Sequence, residues 1–180
     1  MRNRAKTKPI IAASIASIGA LLLAGCTTDG GHPSAIKPTQ QGASTVNTST
    51  NPSVPVVTGA ANSAPVIEAP KGSAPTTLLT HDVIVGTGAE AVATSTLTVH
   101  YTLMAWSTGK VVESSWNGGQ PATFALSGVI PGWQQGIPGM KAGGRRVLVI
   151  PPALGYGAQG AGPIGPNETL IFVVDLISIA

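Results

Sequence analysis

The chain has 180 residues, room for one ordinary domain with appendages, and only 9% of them are charged. Its formal net charge of +3 belongs to the leading residues Arg2, Arg4, Lys6 and Lys8; from Leu78 onward Lys110, Lys141, Arg145 and Arg146 face Asp82, Glu90, Glu113, Glu168 and Asp175. That balance offers no basic surface to a nucleic acid, and a single cysteine leaves no internal disulfide.

Residues 1–25 have a basic start, an apolar run from Ile10 to Leu23 and small residues just before Cys26, the layout of a secretory signal. The run is too short and too diluted by Ala and Ser for a permanent membrane span. Leu23-Ala24-Gly25-Cys26 resembles the bacterial lipobox, whose cysteine receives a diacylglycerol and becomes the mature N-terminus. Two acyl chains, at about 0.8 kcal/mol per buried methylene, hold a protein to a bilayer where one chain does not. The expectation is an extracytoplasmic protein anchored to the bacterial cell membrane through lipid on Cys26. Residues 26–76 then turn to Ser, Thr, Pro, Gly, Ala and Asn, with no apolar period and no aromatic. Such a segment buries too little to offset its ordering entropy, so it reads as a disordered tether, about 40 Å in root-mean-square reach.

Folded material is expected over 77–180. Leu79 to Val85 is a strand, and Ser95 to Trp106 is a long one with a period of two: Leu97, Val99, Tyr101 and Leu103 share one face, while His100 points away with the threonines. Ser107 to Lys110 turns the chain, Val111 to Ser114 returns, Trp116 to Gly119 is a loop, and Ala122 to Leu126 is another strand. Pro131 can open a helix that Gly136, Pro138 and Gly139 end almost at once, leaving Trp133 on about two turns. Gly143 and Gly144 turn into a strand from Arg145 to Ile150, a loop delivers Tyr156, and Thr169 to Ile179 closes the sheet. The fold class is α+β, an antiparallel five- to six-stranded sheet curled over one short helix, with an apolar cup between them. His32, His81 and His100 make no metal-ligand spacing, and neither a nucleophile elbow nor a phosphate cradle is present, so no metal and no cofactor is expected. Lys141, Arg145 and Arg146 read as a solvated face.

Seven pieces in order carry a family resemblance: Val99-His100-Tyr101-Thr102, Glu113-Ser114-Ser115, Phe124-Ala125-Leu126, Val129 through Gly136, Met140 with Gly143, Arg145 and Arg146, Ile150-Pro151-Pro152 with Tyr156-Gly157, and Leu170-Ile171-Phe172. With them, residues 78–180 resemble an FKBP-type peptidyl-prolyl cis-trans isomerase domain. The resemblance implies that Trp133 is the floor under a substrate's prolyl ring, with Tyr101, Phe124, Val129, Ile130 and Phe172 as walls. It implies that the Ile130 N–H and the Tyr156 hydroxyl hold substrate carbonyls, and that Glu113 sits where the family usually has Asp. Val112 takes the place of a Phe, Ala122 that of another aromatic, and Leu103 that of a Gly. The expected partners are proline-containing peptides and unfolded exported proteins, and the expected state is a monomer. With two aromatics missing, the cup is expected to be wetter and turnover slow. A second reading from the same residues is a non-catalytic module that holds a partner's proline loop. A third has the cup filled from within by Trp106 or Trp116.

Overall fold

The computed structural model describes residues 45–46 and 49–180, of which 45–46 are described by their backbone alone. The expected signal, Cys26 and the first part of the expected tether lie outside them. Strands β1 (Thr45–Val46), β2 (Val57–Gly59) and β3 (Val66–Ile67) form a small antiparallel sheet. The main sheet contains β4 (Leu79–Ile84), β5 (Thr96–Ala105), β6 (Lys110–Ser114), β7 (Ala122–Ala125), β8 (Arg145–Ile150) and β9 (Leu170–Ile179). The strand order is β4-β8-β9-β5-β6, with β7 also on β5 and every pairing antiparallel.

Strand β5 organises the site because two short strands share one of its edges. β7 pairs with it over Thr96 to Val99 and β6 over Thr102 to Ala105, leaving His100 and Tyr101 in the gap. Helix α1 (Pro131–Gly136) lies against β8 and fits there because it presents glycine to the sheet. A Cβ on Gly132 would stand 2.4 Å from Ile150 Cγ2, and one on Gly136 would stand 2.5 Å from Leu148 Cδ2. Arg146 ties the other end down: its guanidinium bonds both oxygens of Asp82 at 2.6 and 2.9 Å, while Nη1 donates to the Gly136 carbonyl at 2.8 Å, one of the orphan acceptors at the helix end.

The inner face of the sheet buries Leu97, Val99, Leu103, Leu148, Ile150, Phe172 and Val174 with Trp133, Ile137 and Met140. The outer face is also buried. Met104, Val147, Val149, Ile171 and Val173 pack against Val54, Val57 and Ile67 from the segment before residue 77. This corrects the reading of 26–76 as a disordered tether throughout: residues 49–68 form a strap across the sheet. Three separated apolar residues show no period, yet each is worth about 1.5–3 kcal/mol when fully buried against a face that already exists.

The strap is fastened by Arg145, which is fully buried rather than part of a solvated face. Its Nε donates to Asp175 Oδ1 at 2.7 Å, Nη1 to the Gly59 carbonyl at 3.3 Å and Nη2 to the Ser63 carbonyl at 2.6 Å. His100 is corrected too. Instead of pointing to solvent it is buried under Trp116, whose ring stacks on it at 3.8 Å with planes 15° apart. The expected loop at Trp116 is a 3-10 turn over Ser115–Gly118, which delivers that indole.

Candidate active site

An open cavity of about 330 Å³ lies between α1, β5 and the loop after β8. Trp133 is only 4% exposed and forms its floor. Phe172 stands at 88° to the indole with centroids 5.3 Å apart, Phe124 at 82° and 5.9 Å, and Tyr101 at 83° and 6.0 Å. Edge-to-face packing suits the ring quadrupoles and makes three upright walls around one flat base.

The segment entering α1 is set by Gln134, whose Nε2 donates to the Val129 carbonyl at 2.7 Å. Val129 and Ile130 line the cavity, and the Ile130 carbonyl accepts the first helical N–H groups, from Trp133 at 3.0 Å and Gln134 at 3.3 Å. Among the described residues the Ile130 N–H itself donates to no protein acceptor. Across the opening stands Tyr156, 37% exposed, on a loop fastened by Gly157 N–H to the Pro152 carbonyl and Asn167 N–H to the Gly157 carbonyl. Its hydroxyl makes no hydrogen bond among the described residues. The cavity rim therefore carries two separated donors.

The third polar feature is the Tyr101 hydroxyl, which donates to Glu113 Oε1 at 2.5 Å. Burial first, then that hydrogen bond and the neighbouring Glu113 charge, push the Tyr101 phenol well above its ordinary value, so it stays protonated. Nothing here is arranged for nucleophilic attack or proton shuttling, and no cluster of metal ligands occurs among the described residues.

Of the residues singled out in the sequence, Tyr101, Glu113, Phe124 and Tyr156 line the cavity with Val129, Ile130, Trp133 and Phe172. Val112 does not. Leu103 pairs with Glu113 and Met104 with Val111, so Val112 is the extra residue of a bulge; it packs against the inner core, and Leu103 provides the wall instead. Leu103 and Gly128 are the lining residues that the site reading missed, although Leu103 stood in the same alternating row as Tyr101. Neither Trp106 nor Trp116 fills the cavity: Trp106 packs toward the outer core and Trp116 on His100.

The family model for FKBP-type peptidyl-prolyl cis-trans isomerases matches residues 88–177. The chain belongs to that family. A probable FK506-binding protein of Corynebacterium glutamicum is 51% identical over 114 residues, which are 63% of this chain and 97% of that protein. An FK506-binding protein of Streptomyces anulatus is 48% identical over 119 residues, 64% of this chain and 96% of the other. Among solved structures, AtFKBP13 matches with a TM-score of 0.54 and 40% identity, over 59% of this chain and 96% of that one. FkpA from Escherichia coli matches with the same score and identity, but the matched part is only 47% of FkpA. The residues matched by the family model include every residue that lines the cavity, and the strap from Ser49 to Glu68 precedes them.

Proposed function

We propose that this FKBP-type isomerase acts on exported proteins, held as a monomer at a bacterial membrane by lipid on Cys26 and speeding X-Pro rotation while its clients fold. The observation that carries the isomerase reading is the open, aromatic cavity with donors on both sides and no group placed for covalent chemistry. Rotation about a prolyl amide is slow because planarity carries resonance energy, with a barrier of about 18–20 kcal/mol. An enzyme needs only to bind the twisted amide better than either planar form. Twisting decouples the carbonyl from the nitrogen and makes the amide less polar, so an apolar enclosure favours it over water.

In this reading the prolyl ring rests on Trp133 between Phe124, Phe172 and Tyr101. The Ile130 N–H and the Tyr156 hydroxyl donate to carbonyls flanking the rotating bond, fixing the ends while the middle turns. An apolar residue before proline meets Val129 and Leu103. The export role is supported by the basic, apolar and small-residue order ending at Cys26.

A protease-free isomerisation assay of the full-length protein on a series of X-Pro tetrapeptides tests the activity. The expected result is acceleration above buffer, greatest with Leu or Phe before proline. A rate equal to buffer with peptide still bound leaves only a holding module. Cys26→Ser tests the anchor: the protein is expected to leave the membrane fraction, and retention there refutes the lipid.

A further inference from the structure

We propose that Ser115, oriented by His100, is a positioning residue for isomerisation: it fixes the register in which Tyr101 and Glu113 can form the hydrogen bond at the cavity rim. The proposal deepens the isomerase reading and rests on it. Strand β6 pairs with β5 as far as Thr102 opposite Ser114 and then ends. The next N–H along β5 is that of Tyr101, which lies in the gap between β6 and β7, where no strand meets it. Ser115 Oγ accepts it at 2.9 Å. On the other side of Glu113 the pairing slips at the bulge beside Leu103. The stretch bearing Glu113 is therefore loose at one end and held by a serine oxygen at the other.

The turn that begins at Ser115 is itself uncapped, since Ser114 makes no side-chain cap and instead bonds Thr102 Oγ1 at 3.0 Å and the Tyr101 carbonyl at 3.3 Å. Ser115 Oγ also meets His100 Nδ1 at 2.9 Å and the Tyr101 carbonyl at 3.4 Å. With its oxygen accepting the amide, the Ser115 hydroxyl still has a proton and a lone pair, and Nδ1 lies close enough to engage either of them, so the ring orients the hydroxyl. That ring is held in turn by stacking on Trp116, and it lies in register opposite Asp175, whose Oδ1 is taken by Arg145. The Ser115, His100 and Asp175 trio is not a nucleophile relay, because Asp175 makes no hydrogen bond to His100 among the described residues. None of Ser115, His100 and Trp116 lines the cavity.

A residue that acts this way alters turnover more than binding. The test is kcat and KM of the full-length protein on a Leu-Pro tetrapeptide, for wild type, Ser115→Ala, Ser115→Thr, His100→Asn and His100→Leu. Ser115→Ala and His100→Leu are expected to lower kcat by about fivefold or more while KM stays within about twofold, the mark of an interaction that matters in the transition state. Ser115→Thr, which restores the hydroxyl, and His100→Asn, which keeps an acceptor near the Nδ1 position, are expected within about twofold of wild type. An unchanged kcat for Ser115→Ala, a loss carried by KM, or failure of threonine to rescue overturns the proposal. Should Ser115→Ala not fold, hydrogen exchange of the Tyr101 amide in the wild type decides: protection comparable to Thr102 supports the bond to Ser115, and free exchange overturns it. An inactive wild type refutes the isomerase reading itself, whereas an active wild type with indifferent variants refutes only the role of Ser115.

Discussion

The Tyr101 hydroxyl donates to Glu113 Oε1 at 2.5 Å across two strands whose pairing slips by one residue immediately beyond it. Because Tyr101 is the donor and its ionisation is pushed upward by burial and by Glu113, its hydroxyl keeps its proton through the neutral and mildly alkaline range. In a Tyr156→Phe background, which removes the other phenol of the cavity, the expected kcat/KM is flat from neutral pH to beyond about 10, where an ordinary tyrosine ionises. A fall centred on the ordinary phenol value shows that the buried hydrogen bond is absent in solution. Tyr101→Phe keeps the wall and removes the bond, so it is expected to cost about 1–2 kcal/mol of transition-state stabilisation, read as kcat/KM.

The contact between α1 and β8 depends on the missing side chain of Gly132. A methyl group there would meet Ile150 Cγ2 at 2.4 Å, so Gly132→Ala must push the helix off the sheet and carry Trp133 with it. The expected loss is about 1–3 kcal/mol in urea unfolding, the usual cost of overpacking, with a fall in turnover because the floor moves. Adding Ile150→Val or Ile150→Ala should return part of both. A Gly132→Ala protein with wild-type activity and stability would mean that the helix sits farther from the sheet than described.

The wall beside Glu113 belongs to Leu103, with Val112 displaced into the bulge. Leu103→Ala removes a fully buried side chain, and the expected cost is about 2–5 kcal/mol of stability together with a wetter cavity and slower turnover. Val112→Phe adds bulk at the bulge, off the cavity, so the expected rate on prolyl tetrapeptides stays within about twofold of wild type. A clearly higher rate would place Val112 within reach of the bound peptide.

What was readable in the sequence is what depends on local pattern. The period of two in β5 put Leu97, Val99, Tyr101 and Leu103 on one face, and Pro131 with its following glycines bounded the helix under Trp133. What was not readable depends on segments far apart. His100 of β5 looks like part of a solvated face until Trp116 stacks on it, and nothing near His100 announces that contact. The strap was hidden by its own composition, because Val54, Val57 and Ile67 each need a preformed sheet to be buried against. The bulge that moves Val112 off the cavity is a property of the pairing of β5 with β6, so neither strand shows it alone.

If the strap is part of the domain, removing residues 1–68 must expose the outer face of the sheet and strip Arg145 of two carbonyl acceptors. Lost burial of three apolar residues and two hydrogen bonds puts the expected destabilisation on the order of 5 kcal/mol, read from the urea midpoint. A midpoint equal to that of the full chain returns the segment to the status of a tether.

The pairing of Arg145 with Asp175 makes a prediction with a definite sign. Burial raises the Asp175 carboxyl above its ordinary range, while the hydrogen bond and charge of Arg145, and then His100, pull it down by less. The folded state therefore holds this proton more tightly than the unfolded one. Between the unfolded value of about 3.9 and the higher folded value, the contribution of Asp175 to stability falls as pH rises. Ionised Asp175 is thus a net cost to the fold, offset by Arg145. Removing the offset with Arg145→Met leaves an unpaired buried charge, an expected loss of about 3–5 kcal/mol at neutral pH. Part of that loss should return as pH drops through the carboxylate range, because protonation removes the charge. Asp175→Asn is expected to cost less at neutral pH, because an amide oxygen still accepts from Nε and the Gly59 and Ser63 carbonyls continue to take up the buried guanidinium. Urea unfolding of both variants at neutral and mildly acidic pH checks the argument, which fails if Asp175→Asn is as damaging as Arg145→Met or if the Arg145→Met deficit widens in acid.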